Sequence, residues 1–396
     1  MNRAVAISGA GCLCAAGMTL NAALTAMLRG ERNPQPPVAF RTDHPEPFPV
    51  FEIQEPLPAP GTDAELLRTT RLAISAAMAA LADAGLERDD LRGLKVGVCI
   101  GTTVGSAMNN EVFYRDFRNG ESPSMAPIER YLRSNPAAAI ARHYQLDGPC
   151  QVIVNACSSG TDAIGLGAAW IRAGLCDIAL VGGADELCRT TCNGFSSLMI
   201  TANESCKPFD AKRKGLNLGE GAGLLVLEND KSLQLREKTA RGFVLGYGSA
   251  TDAHHLTAPH PDGVGLRRAV AEAMATAGVA AEALAFINAH GTGTADNDRV
   301  EGRVLADLFP NTPFVSTKGY TGHTLGAAGA IEAVLSLACL ELGKLPANIG
   351  FSEQDPELPT CPASVVTLLT GRYALSESLA FGGNNAAVLL GLEVPR

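Results

Sequence analysis

Residues 152–160 read Val152-Ile153-Val154-Asn155-Ala156-Cys157-Ser158-Ser159-Gly160, an apolar strand that breaks through small residues into a helical stretch over 161–172. A cysteine at a helix N-terminus feels the positive end of the helix dipole and unpaired backbone N–H groups, which favour thiolate over thiol. The same N–H groups can hold an oxyanion during acyl transfer. Although most buried cysteines are inert, the small neighbours leave room at the sulfur. The stretch therefore predicts a nucleophilic Cys157.

Outside this stretch, short apolar or β-branched runs alternate with alanine-rich helical runs, which is typical of an α/β protein with buried sheets. The first strand is predicted to end in a glycine turn after Ser8, and the proline-rich segment 33–61 is predicted to be a surface excursion. The predicted strands are 4–8, 95–100, 152–155, 178–182, 224–228, 243–247, 285–289, 314–316 and 387–392. The predicted helices are 66–84, 136–144, 161–172, 264–277, 299–308 and 327–342.

Two regions of the chain repeat each other loosely. In each, a strand leads through a small-residue turn into a helix rich in glycine and alanine, over 152–172 and again over 314–342. A charged stretch, 229–241, lies between them. This pattern predicts an internal duplication, with an N-terminal half over 1–240 and a C-terminal half over 241–396.

Composition limits the class of protein. The chain has 396 residues, 46% hydrophobic and 18% charged, with a net charge of −9 and no basic stripe, which argues against general nucleic-acid binding. No apolar run reaches the roughly 20 residues of a membrane span, and Ser8, Gly9 and Gly11 interrupt the N-terminal apolar segment, which argues against a signal peptide. The eleven cysteines are scattered without zinc or disulfide spacing, so we expect a cytoplasmic protein with no metal ion.

Two of the seven histidines occupy strand ends. His290 follows the apolar run 285–289 and opens Gly291-Thr292-Gly293-Thr294, and His323 lies in a second glycine-rich loop. Strand-to-loop junctions are where α/β folds place ligands. A lone histidine is more often structural than catalytic, but two at such junctions, in a chain that also offers Cys157, predict a catalytic set.

Together these motifs resemble the elongating branch of the β-ketoacyl-[acyl-carrier-protein] synthases, within the thiolase superfamily. The resemblance implies an α/β, thiolase-like fold of two pseudo-duplicated halves, each with a mixed five-stranded sheet, in a layered α-β-α-β-α arrangement. The motifs appear in the family's order within residues 4 to about 392. They are Asn155-Ala156-Cys157-Ser158-Ser159-Gly160, His290-Gly291-Thr292-Gly293-Thr294, Lys318 with Gly322-His323, Gly326-Ala327-Ala328-Gly329, and Phe381-Gly382-Gly383-Asn384-Asn385.

The resemblance implies decarboxylative Claisen condensation. Cys157 takes the acyl group from a thioester, and the backbone N–H groups of Cys157 and Phe381 hold the oxyanion. A malonyl thioester then loses carbon dioxide, while His290 and His323 donate from Nε2 to the enolate oxygen. The carbanion attacks the acyl-cysteine and releases a 3-oxoacyl chain two carbons longer.

Further roles are implied by the same resemblance. Lys318 and Glu332 form a buried pair that orients the site, although a lone lysine is usually a solvated surface charge. Phe381 and Gly382 belong to a gating loop at the malonyl entrance. The substrates arrive on the phosphopantetheine arm of an acyl carrier protein, without a separate cofactor.

Substrate contacts are implied at Thr292 and Thr294, toward the phosphopantetheine amides, and at Asn110, toward the acyl chain. The sequence departs from the family at Asn384, where threonine is usual, and at Asn217, where an apolar residue is usual. The polar pair Asn109–Asn110 suits a long saturated chain poorly. We therefore expect short, aromatic or polyene chains, as in aryl polyene or type II polyketide-like pathways. Chain elongation in fatty acid synthesis stays open as well.

Three alternatives stay open at this point. A non-catalytic chain-length subunit shares the fold but typically loses the nucleophile, and a thiolase or initiating synthase acting on coenzyme A thioesters requires a residue other than His323. A binding protein with structural cysteine and histidines is the third. The resemblance implies a dimer, either of identical chains or with a homologous chain-length factor. Candidate cations for docking the acidic carrier protein are Arg68, Arg71, Lys207, Lys212, Arg213 and Lys214.

Overall fold

The structure of the protein is a computed structural model that describes residues 4–42, 44, 48–57 and 66–395. The first half contains β1 (Val5–Cys14), α1 (Leu20–Leu28), α2 (Arg68–Ala84), β2 (Val96–Gly101), α3 (Glu111–Arg118), α4 (Ala126–Arg133), α5 (Pro136–Tyr144), β3 (Cys150–Ile153), α6 (Ser159–Arg172), β4 (Ile178–Asp185), α7 (Arg189–Ser197), β5 (Gly221–Glu228) and α8 (Asp230–Leu235). The second half contains β6 (Gly242–Thr251), α9 (Val264–Ala277), β7 (Leu284–Asn288), α10 (Ala295–Leu308), β8 (Phe314–Val315), α11 (Lys318–Thr321), α12 (Ala328–Leu342), β9 (Lys344–Leu345), β10 (Thr367–Leu368), β11 (Tyr373–Ala380) and β12 (Asn384–Gly391).

The duplication expected from the sequence is present in the strand order. The first half is ordered β3-β2-β4-β5-β1, and the second half is ordered β8-β7-β11-β12-β6. In each, the first three of these strands run parallel and the last two are antiparallel to their neighbours. The two five-stranded halves are joined where β1 pairs with β6, from Val5↔Val244 to Ile7↔Gly242. The predicted boundary at residues 240/241 falls just before β6 and, as a domain division, stays a prediction.

Helices α6 and α12 form the central layer between the two halves. Helix α6 packs on β2, β4 and β12, and α12 packs on β5 and β11, while α2 and α9 cover the outer faces. The two central helices approach closely, because a Cβ at Gly160 would lie 2.9 Å from the backbone nitrogen of Ala330 on α12. The stretch Leu325–Leu342 is long and apolar enough to cross a membrane, but 89% of it is buried in the protein. Such burial identifies it as a core helix.

The structure corrects three sequence predictions. The glycine turn after Ser8 is wrong, because β1 continues to Cys14 with a bulge between Ile7 and Gly9. Gly9 instead lets the strand lie against the backbone of α2, since a Cβ there would collide with the carbonyl oxygen of Ala80. The segment 33–61 is not wholly a surface excursion: in its described part, Phe51 is 1% exposed.

Strand β11 is the third correction, because no strand was predicted there. Ser376, Glu377 and Ser378 interrupt its apolar pattern, yet all three are completely buried. Buried polar side chains need partners, and Oγ of Ser378 lies 2.9 Å from Oγ1 of Thr161 on α6. Ser376 and Glu377 receive no hydrogen bond at their side-chain oxygens from the described residues.

Candidate active site

The predicted reactive residues converge from separate strand ends. Cys157 follows β3, His290 follows β7, and His323 follows β8 and α11. One ligand-type atom from each lies within 4.8 Å of the others, and all three residues are buried. They line a cavity of about 490 Å³, together with Phe381 at the end of β11.

The turn that carries Cys157 is tightly held. Ala156 adopts a positive φ of 49°, a conformation uncommon for a residue with a side chain. The carboxylate of Asp162, in the first turn of α6, accepts three side-chain hydrogen bonds, from Asn155 Nδ2 at 2.6 Å, Ser158 Oγ at 2.8 Å and Tyr247 Oη at 2.8 Å. Because Tyr247 belongs to β6, the second half of the chain helps to fix the nucleophile of the first.

The protonation state of Cys157 depends on opposing effects. Burial raises the pKa of the thiol to about 11, although Lys318 and a hydrogen bond from the backbone N–H of Phe381 act in the opposite direction. Removal from water thus opposes the stabilisation of the thiolate at the helix N-terminus, and the expectation of a thiolate stays a prediction. A thiol at this position has to lose its proton as it attacks.

Both histidines present an N–H to the cavity. The backbone N–H of Leu325 donates to Nδ1 of His323 at 3.1 Å, and Nζ of Lys318 lies 3.0 Å from Nδ1 of His290. An amide and an ammonium group only donate, so both Nδ1 atoms accept and the ring protons lie on Nε2. Burial first, then Lys318, holds the pKa of each imidazole well below its usual value. Two neutral Nε2–H donors result.

Lys318 is the cation at the centre of the site, as the resemblance implied. It is 1% exposed and donates from Nζ to the carbonyl oxygen of His290 at 2.6 Å and to Oε1 of Glu332 at 2.5 Å. With Nδ1 of His290 as the third acceptor, all three ammonium hydrogens are used. Burial raises the pKa of Glu332, and the positive charge of Lys318 opposes that rise. The pair fixes the orientation of the His290 ring.

Two carboxylates that the sequence analysis missed hold the loop after β7. Glu301 accepts hydrogen bonds from the backbone N–H groups of His290 at 2.5 Å and Gly291 at 2.8 Å. Asp298, one turn earlier on α10, accepts from the backbone N–H of Thr292 at 3.0 Å. The available signal was the pair of acidic residues three positions apart at the start of the helix that follows a glycine-rich loop.

The residues implied to contact substrate are partly brought together. Thr292 and Thr294 line the cavity, and their hydroxyl oxygens lie 2.9 Å apart. Phe381 stacks on Phe195 with a ring-centroid distance of 5.5 Å, and the backbone N–H of Gly382 donates to the carbonyl oxygen of Leu256 at 2.7 Å. The Phe381–Gly382 segment therefore forms one wall of the cavity entrance.

Asn110 is not among the residues that line this cavity. Its Oδ1 accepts from Nδ2 of Asn109 at 2.9 Å, and the same amide nitrogen donates to the carbonyl oxygen of Pro127 at 2.7 Å. The polarity of Asn109 is thus partly used within the segment itself. Contact between Asn110 and the acyl chain stays a prediction.

The candidate docking cations separate into two groups. Arg68 is bound to the buried Glu220, and the side chain of Arg213 is only 7% exposed beside Asp355. Lys212 and Lys214 also form ion pairs, with Glu353 and Glu204, but their side chains are 68% and 64% exposed. Lys214 also lines the cavity, so the accessible positive charge lies at its mouth.

The Cys157, His290 and His323 atoms are also close enough to hold a metal ion. A metal would require the Nε2 lone pairs, yet the hydrogen bonds at Nδ1 place the ring protons on Nε2. The donor set therefore suits a thioester or enolate oxygen better than a cation. The expectation that the site works without a metal stays a prediction.

Comparison with known proteins identifies the family. Residues 60–232 match the beta-ketoacyl synthase N-terminal domain, and residues 241–352 match the beta-ketoacyl synthase C-terminal domain. The chain belongs to the β-ketoacyl synthase family. The predicted recognition, the thiolase-like α/β fold and the acyltransferase class are thereby confirmed.

Individual relatives of this β-ketoacyl synthase cover nearly the same length. The 3-oxoacyl-[acyl-carrier-protein] synthase 2 of Staphylococcus aureus is 32% identical over 338 residues, which are 81% of this chain and 83% of that protein. A chain of the ishigamide ketosynthase/chain length factor structure superposes with a TM-score of 0.92 at 32% identity, over 99% of both chains. A chain of a ketosynthase in complex with its chain length factor from Xenorhabdus doucetiae has a TM-score of 0.86 at 31% identity, over 98% of both chains.

Proposed function

We propose that this β-ketoacyl synthase accepts an acyl group on Cys157 from an acyl carrier protein and condenses it with malonyl-[acyl-carrier-protein]. The observation that carries the proposal is the meeting of one thiol and two imidazole Nε2–H groups within 4.8 Å at a cavity of about 490 Å³. A non-catalytic chain-length subunit would not need this set. The products are a 3-oxoacyl-[acyl-carrier-protein] and carbon dioxide.

In the first step, Sγ of Cys157 bonds to the carbonyl carbon of the acyl thioester, and the bond to the carrier thiol breaks. The proton of the Cys157 thiol ends on the departing carrier thiol, so this transfer releases no net proton. The backbone N–H of Phe381, which donates to the resting sulfur, is placed to donate to the oxyanion together with the N–H of Cys157. Burial excludes the water that would hydrolyse the acyl-cysteine.

In the second step, the malonyl carboxylate leaves as carbon dioxide and the electron pair passes to the enolate. His290 and His323 donate to the enolate oxygen from Nε2, which they do as neutral rings. The new carbanion attacks the carbonyl carbon on Cys157, and the C–S bond breaks. Cys157 regains its proton from solvent, so the whole condensation consumes one proton.

The carrier arm is proposed to run past Thr292 and Thr294, whose hydroxyl groups can bond its amides. The carrier protein itself would dock at the exposed Lys212 and Lys214 at the cavity mouth. This charge is local, since the chain as a whole carries −9. An acidic partner is therefore attracted to this face rather than to the protein in general.

The partner subunit is proposed to be a homologous chain-length factor. Two structures at 31% and 32% identity contain a ketosynthase together with such a factor. The edge strand β3 has exposed residues, and α3 carries the exposed apolar side chains Val112, Tyr114 and Phe117. The pathway is proposed to be specialised, of the aryl polyene or polyketide type, with short, aromatic or polyene acyl chains, and the presence of a chain length factor in both structures supports this. All eleven cysteines are free and nine are buried, which supports a reducing cytoplasm.

The test is intact-mass spectrometry of the purified protein, with and without the co-expressed homologue, after incubation with acyl-carrier protein of several chain types. We expect the acyl mass on the wild type and none on Cys157→Ala. Malonyl-carrier protein should then discharge it and yield the 3-oxoacyl product. Acyl transfer only from coenzyme A thioesters would overturn the proposal in favour of an initiating synthase, and faster turnover of long saturated chains would overturn the pathway assignment.

A further inference from the structure

Glu377 is a buried carboxyl group to which the mechanism assigns no role. Glu377 lies on β11 and is completely buried. Neither Oε1 nor Oε2 receives a hydrogen bond from a donor in the described part of the chain. An ionised carboxylate without a donor or a cation in a protein interior is strongly unfavourable. This carboxyl therefore requires an explanation.

The neighbour of Glu377 is a second carboxyl, Glu301. Ser376 of β11 pairs with Asn288 of β7, so Glu377 lies beside the strand end that leads to His290, whose backbone N–H donates to Glu301. The negative charge of Glu301 acts on Glu377 at this place. Glu301 also accepts from three N–H donors: the backbone N–H of His290, the backbone N–H of Gly291, and Nδ2 of Asn297 at 3.2 Å. Two carboxyl groups can share a hydrogen bond only when one of them holds the proton. The donors around Glu301 stabilise its ionised form, so the proton belongs on Glu377.

We propose that Glu377 is a protonated carboxylic acid that donates to Glu301 and, through Glu301, positions His290 for decarboxylation. Glu377 is a positioning residue, because its carboxyl touches neither the cavity nor the reacting atoms. Glu301 holds the backbone of the His290 loop, and Glu377 holds Glu301. The chain thus fixes the His290 ring through Lys318 and its backbone through a carboxylic acid–carboxylate pair.

The charges around the pair support this assignment. Burial and the adjacent Glu301 raise the pKa of Glu377 well above its ordinary value. For Glu301, burial and Asp298 raise the pKa, while Lys318 and the backbone hydrogen bonds lower it. Asp298 lies on α10, His290 follows β7 as a neutral ring, and Lys318 is the cation that acts on Glu301. The pair therefore retains one proton in the neutral range.

Proton retention predicts how stability depends on pH. The unfolded chain releases the Glu377 proton near the ordinary glutamate pKa of about 4.3, whereas the folded chain keeps it. Folding therefore takes up one proton above that pH, and stability falls as the pH rises. Glu377→Gln keeps a donor to Glu301 but has no carboxyl proton to lose. Its stability should therefore lack this decrease with rising pH.

The test compares urea unfolding of the wild type and Glu377→Gln between pH 5.5 and 8, with Glu228→Gln as control. The folding equilibrium constant of Glu377→Gln should rise relative to wild type by about tenfold per pH unit. Glu228 is buried but has Arg236 as its partner, so Glu228→Gln should only destabilise. A difference infrared spectrum at pH 7 should show a protonated carboxyl band in the wild type that Glu377→Gln lacks. A ratio that does not change with pH, or no such band, overturns the proposal.

The positioning role has its own readout, which rests on the proposed condensation. Glu377→Leu removes the donor, so kcat for malonyl decarboxylation should fall about tenfold or more while acylation of Cys157 and KM change little. Glu377→Gln should restore most of the loss. Equal kcat in Glu377→Leu and wild type would overturn positioning. Because the stability and infrared arms need no substrate, they distinguish this failure from failure of the proposed function.

Discussion

The two strand-to-helix junctions of the central layer, β3 to α6 and β8 to α12, occupy the same place in the two halves but do different chemistry. The first is a short turn with Ala156 at positive φ, and it presents a sulfur. The second inserts α11, which supplies Lys318, and then presents an imidazole. Parallel strands open a crevice at their carboxyl ends whatever the side chains are. The comparison shows that the repeated fold provides a crevice in each half, whereas the side chains differ. The first junction carries the nucleophile, and the second carries a hydrogen-bond donor for the enolate.

The largest expected effect on this division of the reaction comes from replacing Cys157. Cys157→Ala should remove acyl attachment altogether and lower condensation by about 10⁴-fold or more, because no other group can hold the acyl chain. Decarboxylation of malonyl-carrier protein should persist, since its donors, His290 and His323, both belong to the second half of the chain. Intact mass and carbon dioxide release measure the two outcomes. Cys176→Ala, at a buried cysteine outside the site, is the control, and loss of decarboxylation in Cys157→Ala would contradict the division.

The second junction is most sensitive at Lys318. Lys318→Ala leaves Glu332 buried without its cation, which should lower the free energy of unfolding by about 3–5 kcal/mol. Removing both charges in Lys318→Met/Glu332→Leu should restore much of that loss, because no buried charge is left alone. Urea unfolding measures both. A double variant no more stable than the single one would show that the loss is due to packing.

Replacement of His323 should have the opposite effect from replacement of Cys157: decarboxylation should be lost while acylation is retained. His323→Ala removes one of two donors to the enolate oxygen, so decarboxylation should fall by about 10²–10³-fold. Acylation of Cys157 should change only a few-fold, which intact-mass time courses can follow. His143→Ala on α5 is the control. Acylation lost to the same extent as decarboxylation would place His323 in both steps.

The smallest expected effect concerns the protonation state of Cys157 at the first junction. With the pKa of Cys157 raised to about 11, its rate of alkylation by iodoacetamide should rise about tenfold per pH unit from pH 7 to 9 without a plateau. Lys318→Met should slow the reaction further, because Lys318 lowers that pKa. Mass spectrometry of the labelled peptide gives the rates. A plateau below pH 8 would show that Cys157 rests as the thiolate.

Several parts of the site could be predicted from the sequence because they are local. The strand, turn and helix around Cys157 are encoded within about twenty residues, and His290 and His323 stand out at glycine-rich strand ends. The Lys318–Glu332 pair was reached through family resemblance. Strand β11 was missed because its buried polar residues imitate a loop pattern, and the glycines of β1 imitated a turn.

The remaining features depend on tertiary structure. Glu301 is 76 residues from Glu377 in the numbering, and nothing near either residue indicates that the two carboxyl groups meet. The protonation state of Cys157 is decided in the same way, since burial by distant segments opposes the local helix terminus. Local patterns specify backbone geometry and residue type. Protonation states and charge partners follow from desolvation and proximity, which exist only once segments distant in the sequence have packed together.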